Sequence, residues 1–201
     1  MYPKVKRVAD LVVALILLLL LFPIVAFVGV LVFILDGRPI FFRQVRPGWG
    51  EKPFVMVKFR TMSQAPAAAN GDESPRVTKL GAILRKTSID EIPSLWNVVR
   101  GDLSFVGPRP LLMDYLELYS PVHSQRHTVR PGLTGLAQVA GRNLVSWKER
   151  LDLDVVYVQR QSLWLDITIL FQTILVVFSF RGIDQADGST MVRLTKGYDA
   201  E

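Results

Sequence analysis

The residue types best suited to chemistry in this sequence are two adjacent carboxylates, Asp90 and Glu91. They precede an apolar run that begins at Ile92 and contains Pro93. Ser88 or Asp90 can cap a helix at this point, with Pro93 in its first turn. Acidic residues in a first turn also suit the positive end of the helix dipole. On these residues alone, a well-capped helix explains the pattern without any chemistry.

The surroundings of the acidic pair favour a site for phosphate and a metal ion. Arg85 lies just upstream, and the segment 101–110 downstream carries Arg109 between two prolines. A carboxylate can attack phosphorus and form an acyl phosphate, while positive groups neutralise the non-bridging oxygens. Mg²⁺ takes one or two carboxylates and keeps water and substrate oxygens as its other ligands. Asp90 and Glu91 could therefore divide the roles of nucleophile and metal ligand, with Arg109 on a phosphate.

Two further segments supply candidates for substrate binding. Asp102 is another acidic candidate, although Gly101 before it equally favours a turn residue. Arginines alternate with glycines between residues 126 and 143, ending in the sequence Gly141-Arg142-Asn143. Glycines of this kind let backbone amides approach an anion.

Composition narrows the class of protein. A chain of 201 residues is long enough for one domain with a real core and an appendage. It contains no cysteine, which excludes disulfides and thiolate metal sites, and only two histidines, which argues against a His-rich zinc site. The net charge of +6 fits nucleic acid, an anionic membrane or a phosphorylated substrate as partner.

The N-terminal segment predicts a membrane helix, because residues 11–35 carry no polar side chain and a bilayer needs about 20 residues. Pro23 removes a helical hydrogen bond in the middle of this segment and favours a kink. Basic residues flank both ends: Lys4, Lys6, Arg7, Arg38, Arg43 and Arg46. The positive-inside rule would keep both ends in the cytoplasm, as in a re-entrant helix–break–helix. From the residues alone, a kinked spanning helix is the preferred form.

The remaining pattern predicts a mostly α protein with a small β-hairpin, an α+β fold. Residues 40–45 and 54–59 have strand character, and residues 63–76 have the composition of a polar loop. Short helices are expected at 80–86 and 111–119, and an amphipathic helix at 147–160. Residues 163–180 are apolar with their polar side chains on one side, which favours a helix lying in the membrane surface over a second span.

Several motifs carry a family resemblance, in this order: Lys58-Phe59-Arg60-Thr61-Met62, Ser88-Ile89-Asp90-Glu91-Ile92-Pro93, Asn97-Val98, Gly101-Asp102-Leu103-Ser104-Phe105-Val106-Gly107-Pro108-Arg109-Pro110, Arg130-Pro131-Gly132-Leu133-Thr134-Gly135, Gln138-Val139 and Gly141-Arg142-Asn143. From about residue 2 to residue 180 the chain resembles the bacterial sugar transferases. Within them it is similar to the short form of the monotopic polyprenyl-phosphate phosphoglycosyl transferases.

The resemblance implies a reaction and roles for these residues. A phospho-sugar would move from a UDP-sugar to a polyprenyl phosphate, releasing UMP. Asp90 would be the nucleophile and carry a covalent phospho-sugar, and Glu91 would ligate Mg²⁺. Arg109 and Arg142 would bind phosphate, and Lys58 would give basic support near the site.

The resemblance also implies a layout. A re-entrant membrane helix broken at Pro23 would occupy residues 1–36, followed by a cytosolic catalytic domain at 37–181 and a tail at 182–201. The expected location is the cytoplasmic face of the bacterial inner membrane, and a homodimer is an open alternative to the monomer. Two rivals come from other classes: a membrane-tethered protein that binds nucleic acid or anionic lipid, and a hydrolase using the same carboxylates. No compact basic stripe or nucleic-acid motif supports the binding alternative.

Overall fold

A computed structural model of the chain describes residues 2–63, 77–141, 145–179 and 193–198. The protein is mostly helical with small sheets, as the pattern predicts. The α-helices are α1 (Tyr2–Asp36), α2 (Lys79–Lys86), α3 (Leu95–Arg100), α4 (Leu136–Ala140), α5 (Trp147–Arg160) and α6 (Leu163–Ser179). The strands are β1 (Phe41–Pro47), β2 (Pro53–Phe59), β3 (Ser104–Val106) and β4 (Gly132–Thr134). Shorter 3₁₀ segments occupy Trp49–Glu51, Ile89–Ser94, Met113–Leu118 and His123–Thr128. Most of the predicted polar loop, residues 64–76, lies outside the described residues.

The predicted β-hairpin is present. β1 and β2 pair antiparallel, from Phe41 opposite Phe59 to Pro47 opposite Pro53. Each strand reaches further toward the turn than the sequence pattern indicates. Phe54 and Met56 on β2 are buried in one core cluster, and Phe59 is buried in another. Side chains of the hairpin therefore pack against the rest of the domain in two places.

A second, parallel sheet was not predicted. β3 and β4 pair with Ser104 opposite Gly132, and the backbone amide of Gly107 donates to the Thr134 carbonyl at 2.9 Å. A Cβ placed on Gly132 would lie 2.1 Å from the Gly107 nitrogen, so only glycine allows this approach. The pairing anchors the segment that carries Arg109, two residues after Gly107.

Helix α1 packs on the domain through both of its halves. Arg7 donates to the carbonyls of Val98 and Val99 at the end of α3, and Ala14 is buried against Val98. Beyond Pro23, which lies inside the continuous helix, Val28 and Val32 join a buried cluster beneath β2. In the part of the chain that the structure describes, α1 is the one helix long and apolar enough to cross a membrane.

Helices α5 and α6 pack across the parallel sheet. The Tyr157 hydroxyl of α5 lies 2.8 Å from Asp166 Oδ1 of α6, and Lys6 of α1 donates to Asp166 Oδ2 at 2.5 Å. Thr173 of α6 shares a hydrogen bond of 2.7 Å with Thr134. Polar side chains of α6 thus face the domain. Its apolar side is exposed, through Leu163, Trp164, Ile167, Leu170, Phe171, Ile174 and Leu175.

Two local predictions were wrong. The segment beginning at Ser88 is not a capped α-helix, because Ser88 takes a left-handed conformation (φ 57°) and makes no capping bond. The chain instead turns through the 3₁₀ segment before α3 begins at Leu95. The helix expected at 111–119 is a 3₁₀ segment between Pro110 and Pro121, which leave little room for regular turns.

Candidate active site

The acidic pair lies on a 3₁₀ segment that is bound to the hairpin. Ser94 at the end of this segment donates through Oγ to the Val57 carbonyl at 2.7 Å. Asn97 of α3 accepts from the Val57 amide at 3.2 Å. Both bonds reach β2 beside Lys58, so the loop with Asp90 and Glu91 is held against the strand that carries this lysine.

Two basic side chains form ion pairs with Glu91. Lys58 Nζ lies 2.5 Å and Arg109 Nη2 2.9 Å from the same oxygen, Glu91 Oε1. Burial alone would raise the pKa of Glu91, but Lys58 and Arg109 lower it well below its usual range. Glu91 is therefore a fixed carboxylate at neutral pH, and both of these bonds are to Oε1.

Asp90 is buried beside Glu91 with only 9% of its surface exposed. Burial, and then the charge of Glu91, raises the pKa of Asp90 to about 6, against the opposing effect of Lys58, Arg109 and Arg85. Adjacent side chains on a 3₁₀ helix diverge by about 120°. Asp90 therefore does not share the bonds that Glu91 makes, and most Asp90 side chains are ionised and available at neutral pH.

The ionised side chain of Asp90 is expected to destabilise the folded protein at neutral pH. Its ordinary pKa of 3.8 rises to about 6 on folding, so its ionised form is disfavoured in the folded state. The stabilising effect of protonation is complete below pH 4 and is lost as the pH rises through 6. We expect Asp90→Asn to raise the free energy of unfolding at pH 7 by about 1–3 kcal/mol. Denaturation at pH 7 and pH 4.5 would measure this gain, which should shrink at the lower pH. A variant less stable than the parent at pH 7 would show instead that the basic neighbours outweigh burial.

The backbone carbonyl of Arg109 is bound by a buried arginine, Arg126. Arg126 donates through Nη2 to the Arg109 carbonyl at 2.6 Å and to Asp154 Oδ2 at 2.8 Å. Its Nη1 donates to the Tyr119 hydroxyl at 3.1 Å. Burial would lower the pKa of Arg126, but Asp154 and Tyr119 together more than offset this and raise it. The ion pair of Arg126 and Asp154 thus supports the backbone of Arg109.

The structure brings together most of the residues predicted for the site. Asp90, Glu91, Lys58 and Arg109 form one cluster, and Arg85 contributes to its charge while donating to Thr61 at 2.9 Å. Asp102 contacts Asn97 and Arg100 at the end of α3, and none of its described contacts is with the acidic pair. Arg142 and Asn143 lie outside the described residues.

Other charged residues lie near the site, and the sequence did not assign them to it, although Asp154 was weighed as a packing residue or a substrate contact, with packing favoured. They are Arg46 on β1, the Arg126–Asp154 pair and Arg150 on α5. Strand alternation could have identified Arg46, because it lies four residues from the position opposite Lys58 and so on the same face. Asp154 and the Arg109 carbonyl, which bind Arg126, lie on distant segments, and no local spacing indicates them.

The donor set fits a magnesium ion. Two adjacent carboxylates are hard oxygen ligands, and the low pKa of Glu91 keeps one of them ionised. No group of three or more acidic or histidine side chains able to hold a metal occurs among the described residues. Mg²⁺ does not require such a cage, since phosphate oxygens of a substrate complete its shell.

A buried carboxylate of raised pKa, beside a second carboxylate fixed by lysine and arginine, is an arrangement suited to phosphoryl transfer. The family profile described as "Bacterial sugar transferase" matches residues 1–180. The chain therefore belongs to the bacterial sugar transferase family, and it is an enzyme of the phosphoglycosyl transferase type.

Individual relatives agree with this assignment. EpsL of Bacillus subtilis (strain 168), named an uncharacterized sugar transferase, is 46% identical over 196 residues, covering 96% of this chain and 97% of EpsL. The exopolysaccharide production protein ExoY of Rhizobium meliloti (strain 1021) is 40% identical over 201 residues, with 88% and 87% covered. A protein of Caulobacter vibrioides (strain ATCC 19089 / CIP 103742 / CB 15) is 40% identical over 183 residues, with 84% and 68% covered. It is named UDP-glucose:undecaprenyl-phosphate glucose-1-phosphate transferase.

Proposed function

We propose that this enzyme transfers a sugar-1-phosphate from a UDP-sugar to a polyprenyl phosphate such as undecaprenyl phosphate. The products are UMP and a polyprenyl-diphosphate-sugar. The observation that carries the proposal is the convergence of Lys58 and Arg109 on Glu91 beside the buried Asp90. The name of the Caulobacter relative supports the choice of substrates.

In the proposed mechanism Asp90 acts as a nucleophile in two steps. A carboxylate oxygen of Asp90 attacks the sugar-linked phosphorus, the bond from that phosphorus to the UMP oxygen breaks, and UMP leaves with that bonding pair. An oxygen of the polyprenyl phosphate then attacks the same phosphorus, and the bond to Asp90 breaks. UMP departs before the lipid reacts, which is ping-pong order.

The basic residues neutralise the phosphate charge during both steps. Arg109 has a planar fork that suits phosphate oxygens, and Lys58 holds Glu91 in position while adding positive charge. Arg85, Arg142 and Asn143 are proposed to bind the substrate around this pair, and Asp102 to act as a supporting acid. Mg²⁺, held by Glu91, would neutralise non-bridging oxygens when bound.

The re-entrant form of α1 belongs to the proposal. A straight span across about 30 Å of hydrocarbon would put its ends on opposite sides of the membrane. Yet Arg7 and Ala14 contact the same domain as Val28 and Val32. Basic residues before and after the apolar segment favour the same side for both ends.

The proposed location is the cytoplasmic face of the bacterial inner membrane, with residues 1–36 in the membrane, 37–181 as the catalytic domain and 182–201 as a tail. The exposed apolar side of α6 would lie in the membrane surface. There the site can reach both a lipid phosphate and a water-soluble nucleotide. The reaction would be the first membrane step of a glycoconjugate pathway. A homodimer stays a prediction.

The proposal is tested by measuring UMP release from a panel of UDP-sugars, including UDP-glucose and UDP-galactose. The full-length protein is assayed in detergent or nanodiscs with Mg²⁺, with and without undecaprenyl phosphate. We expect sustained UMP release that requires the lipid, and a radiolabelled sugar phosphate in the lipid fraction. Free sugar phosphate without a labelled lipid would indicate a hydrolase and overturn the transferase assignment.

A further inference from the structure

A cavity of about 220 Å³ lies between the first turns of α1 and the domain. Lys6, Arg7 and Asp10 of α1 contribute to its wall, and so do Trp49 and Arg130 of the domain. Its volume is far more than a single water molecule needs. The cavity thus has charged walls that come from both the membrane helix and the domain.

The cavity is separate from the candidate active site. Lys58 of that site precedes Phe59, which packs against Val28 and Val32 in the second half of α1. Asp10 of the cavity wall lies roughly 27 Å from Val28 along the helix, at about 1.5 Å per residue. A ligand in the cavity would therefore bind at the opposite end of α1 from the acidic pair.

Arg7 and Arg130 meet at Gly101. Arg130 Nε donates to the Gly101 carbonyl at 3.0 Å, and a Cβ placed on Gly101 would lie 3.1 Å from Arg7 Nη2. Arg7 also donates to the carbonyls of Val98 and Val99. All these acceptors are neutral, and neither arginine forms an ion pair with a carboxylate in the described part of the chain. Their bonds orient the two guanidinium groups without neutralising them.

The charges around the cavity leave one positive charge in excess. Lys6 Nζ lies 2.5 Å from Asp166 Oδ2 and 3.9 Å from Asp10 Oδ1, so three cations face two acids. Burial, and then the charge of Arg7, lowers the pKa of Arg130 although Asp10 acts in the opposite direction. A phosphodiester carries one negative charge, whereas a phosphomonoester carries nearly two at neutral pH. The excess therefore matches a phosphodiester.

The side chain of Arg130 is arranged to bind an anion. Its guanidinium lies over the Trp49 ring, 4.8 Å from the centroid, and Trp49 Nε1 donates to the Thr128 carbonyl at 3.1 Å. Stacking on a ring face leaves the N–H groups at the guanidinium edge available. The Gly101 carbonyl occupies Nε, and the two Nη atoms make no hydrogen bond among the described residues. Such a fork can bind two phosphate oxygens at once.

Exposed apolar surfaces begin next to the cavity. Val12 of α1 follows the cavity residues by one turn and is 49% exposed. Gln161 of the cavity wall precedes Leu163 and Trp164, the exposed first residues of α6. The bond between Lys6 and Asp166 joins the starts of these two helices. A phospholipid combines a phosphodiester with apolar chains and so fits both features, whereas a free anion would use only the cavity.

We propose that this cavity binds the phosphodiester of an anionic phospholipid such as phosphatidylglycerol. Arg130 and Arg7 would contact the phosphate oxygens, and the acyl chains would lie along the exposed apolar sides of α1 and α6. The proposal rests on the membrane location given under the proposed function, and it does not depend on the proposed reaction. A lipid bound there would hold the starts of both helices at the membrane surface.

The test titrates the full-length protein in a neutral detergent with phosphatidylglycerol and counts bound lipids by native mass spectrometry. One lipid per chain should bind saturably, and Arg130→Gln should weaken this binding about 10- to 100-fold through the loss of charged hydrogen bonds. Arg130→Lys keeps the charge without the fork and should fall in between. Arg100→Gln is the matched control, because Arg100 is an exposed arginine that pairs with Asp102 outside the cavity wall. It should bind the lipid like the parent.

A second variant keeps the test decisive if Arg130→Gln does not fold. Trp49→Leu removes the exposed ring beneath Arg130 and should weaken binding about 2- to 5-fold. Unchanged binding in the folded Arg130→Gln protein would overturn the site. Equal losses in Arg130→Gln and Arg100→Gln would also overturn it, because they would indicate a general attraction to surface charge.

Competition experiments distinguish the sources of the phosphate. Glycerol 3-phosphate should not displace phosphatidylglycerol at comparable concentration, and phosphatidylcholine should bind less tightly because its ammonium group offsets the phosphate charge. Displacement by glycerol 3-phosphate at equal affinity would show a site for soluble anions and overturn the lipid assignment. Stronger displacement by undecaprenyl phosphate would assign the cavity to the acceptor lipid instead. Since lipid binding needs no turnover, these results are distinguishable from a failure of the proposed reaction.

Discussion

Asp90→Asn is expected to abolish lipid-dependent UMP release, with a loss on the order of 10³-fold or more, because the variant has no carboxylate to attack phosphorus. The amide is nearly the same size as the carboxylate, so the surrounding contacts should survive. Mixing the parent enzyme with a UDP-sugar in the absence of lipid should produce a protein whose mass is greater by one sugar phosphate. The Asp90→Asn protein should show no such adduct by intact-protein mass spectrometry.

Asp114→Asn is the matched control, because Asp114 is an exposed aspartate outside the site. It should keep parental UMP release and form the adduct. Sustained turnover in Asp90→Asn would exclude Asp90 as the nucleophile. An adduct that maps by proteolysis to a residue other than Asp90 would have the same consequence, even if Asp90→Asn were inactive.

The parts of the site that follow from local sequence were predictable. Asp90 and Glu91 are adjacent, and Arg109 lies in a Pro-Arg-Pro sequence. These residue types indicate phosphate chemistry without knowledge of the fold. The hairpin follows from strand character on both sides of a Pro/Gly turn. Helix α5 has the predicted bounds of Trp147–Arg160, because its amphipathic period is regular and Ser146 caps its first turn. In each case the prediction depends only on residues that are close together in sequence.

The parts that depend on contacts between distant segments were not predictable. β3 and β4 are only three residues long, and their pairing rests on the close approach of Gly107 and Gly132. Two glycines that are separated in sequence give no local indication that their backbones will lie in contact. The left-handed Ser88 is a similar case, since the turn between α2 and the 3₁₀ segment decides its conformation and overrides its capping preference.

Arg109 shows how the two kinds of information combine. The sequence indicates a phosphate-binding side chain, whereas the fold determines where it lies. Its backbone follows the β3–β4 pairing, and its carbonyl accepts from Arg126. Its side chain is directed to Glu91, 18 residues earlier in the chain. The position of Arg109 in the proposed site therefore depends on Arg126, a buried residue that belongs to another segment of the chain.

The buried Arg126–Asp154 ion pair supports Arg109 in this way, and its disruption is expected to destabilise the protein strongly. Arg126 and Asp154 are each about 2% exposed, with Arg126 Nε and Nη2 both on Asp154 Oδ2. Asp154→Ala would leave a buried guanidinium without its counter-charge. We expect it to lower the free energy of unfolding by about 3–5 kcal/mol and to reduce UMP release, because Arg109 loses its support. Thermal and chemical denaturation would measure the first effect.

Asp152→Ala is the control on the same helix. Asp152 is half-exposed and pairs with His123 at 2.8 Å, so its removal should cost less than about 1 kcal/mol. A double variant, Arg126→Met with Asp154→Leu, removes both buried charges and should recover most of the stability lost in Asp154→Ala. It still lacks the donor to the Arg109 carbonyl, so its UMP release should stay low although the protein is folded. Equal losses for Asp152→Ala and Asp154→Ala would contradict the buried-pair argument. Recovery of full activity in the double variant would show that Arg126 acts on stability alone and does not position Arg109.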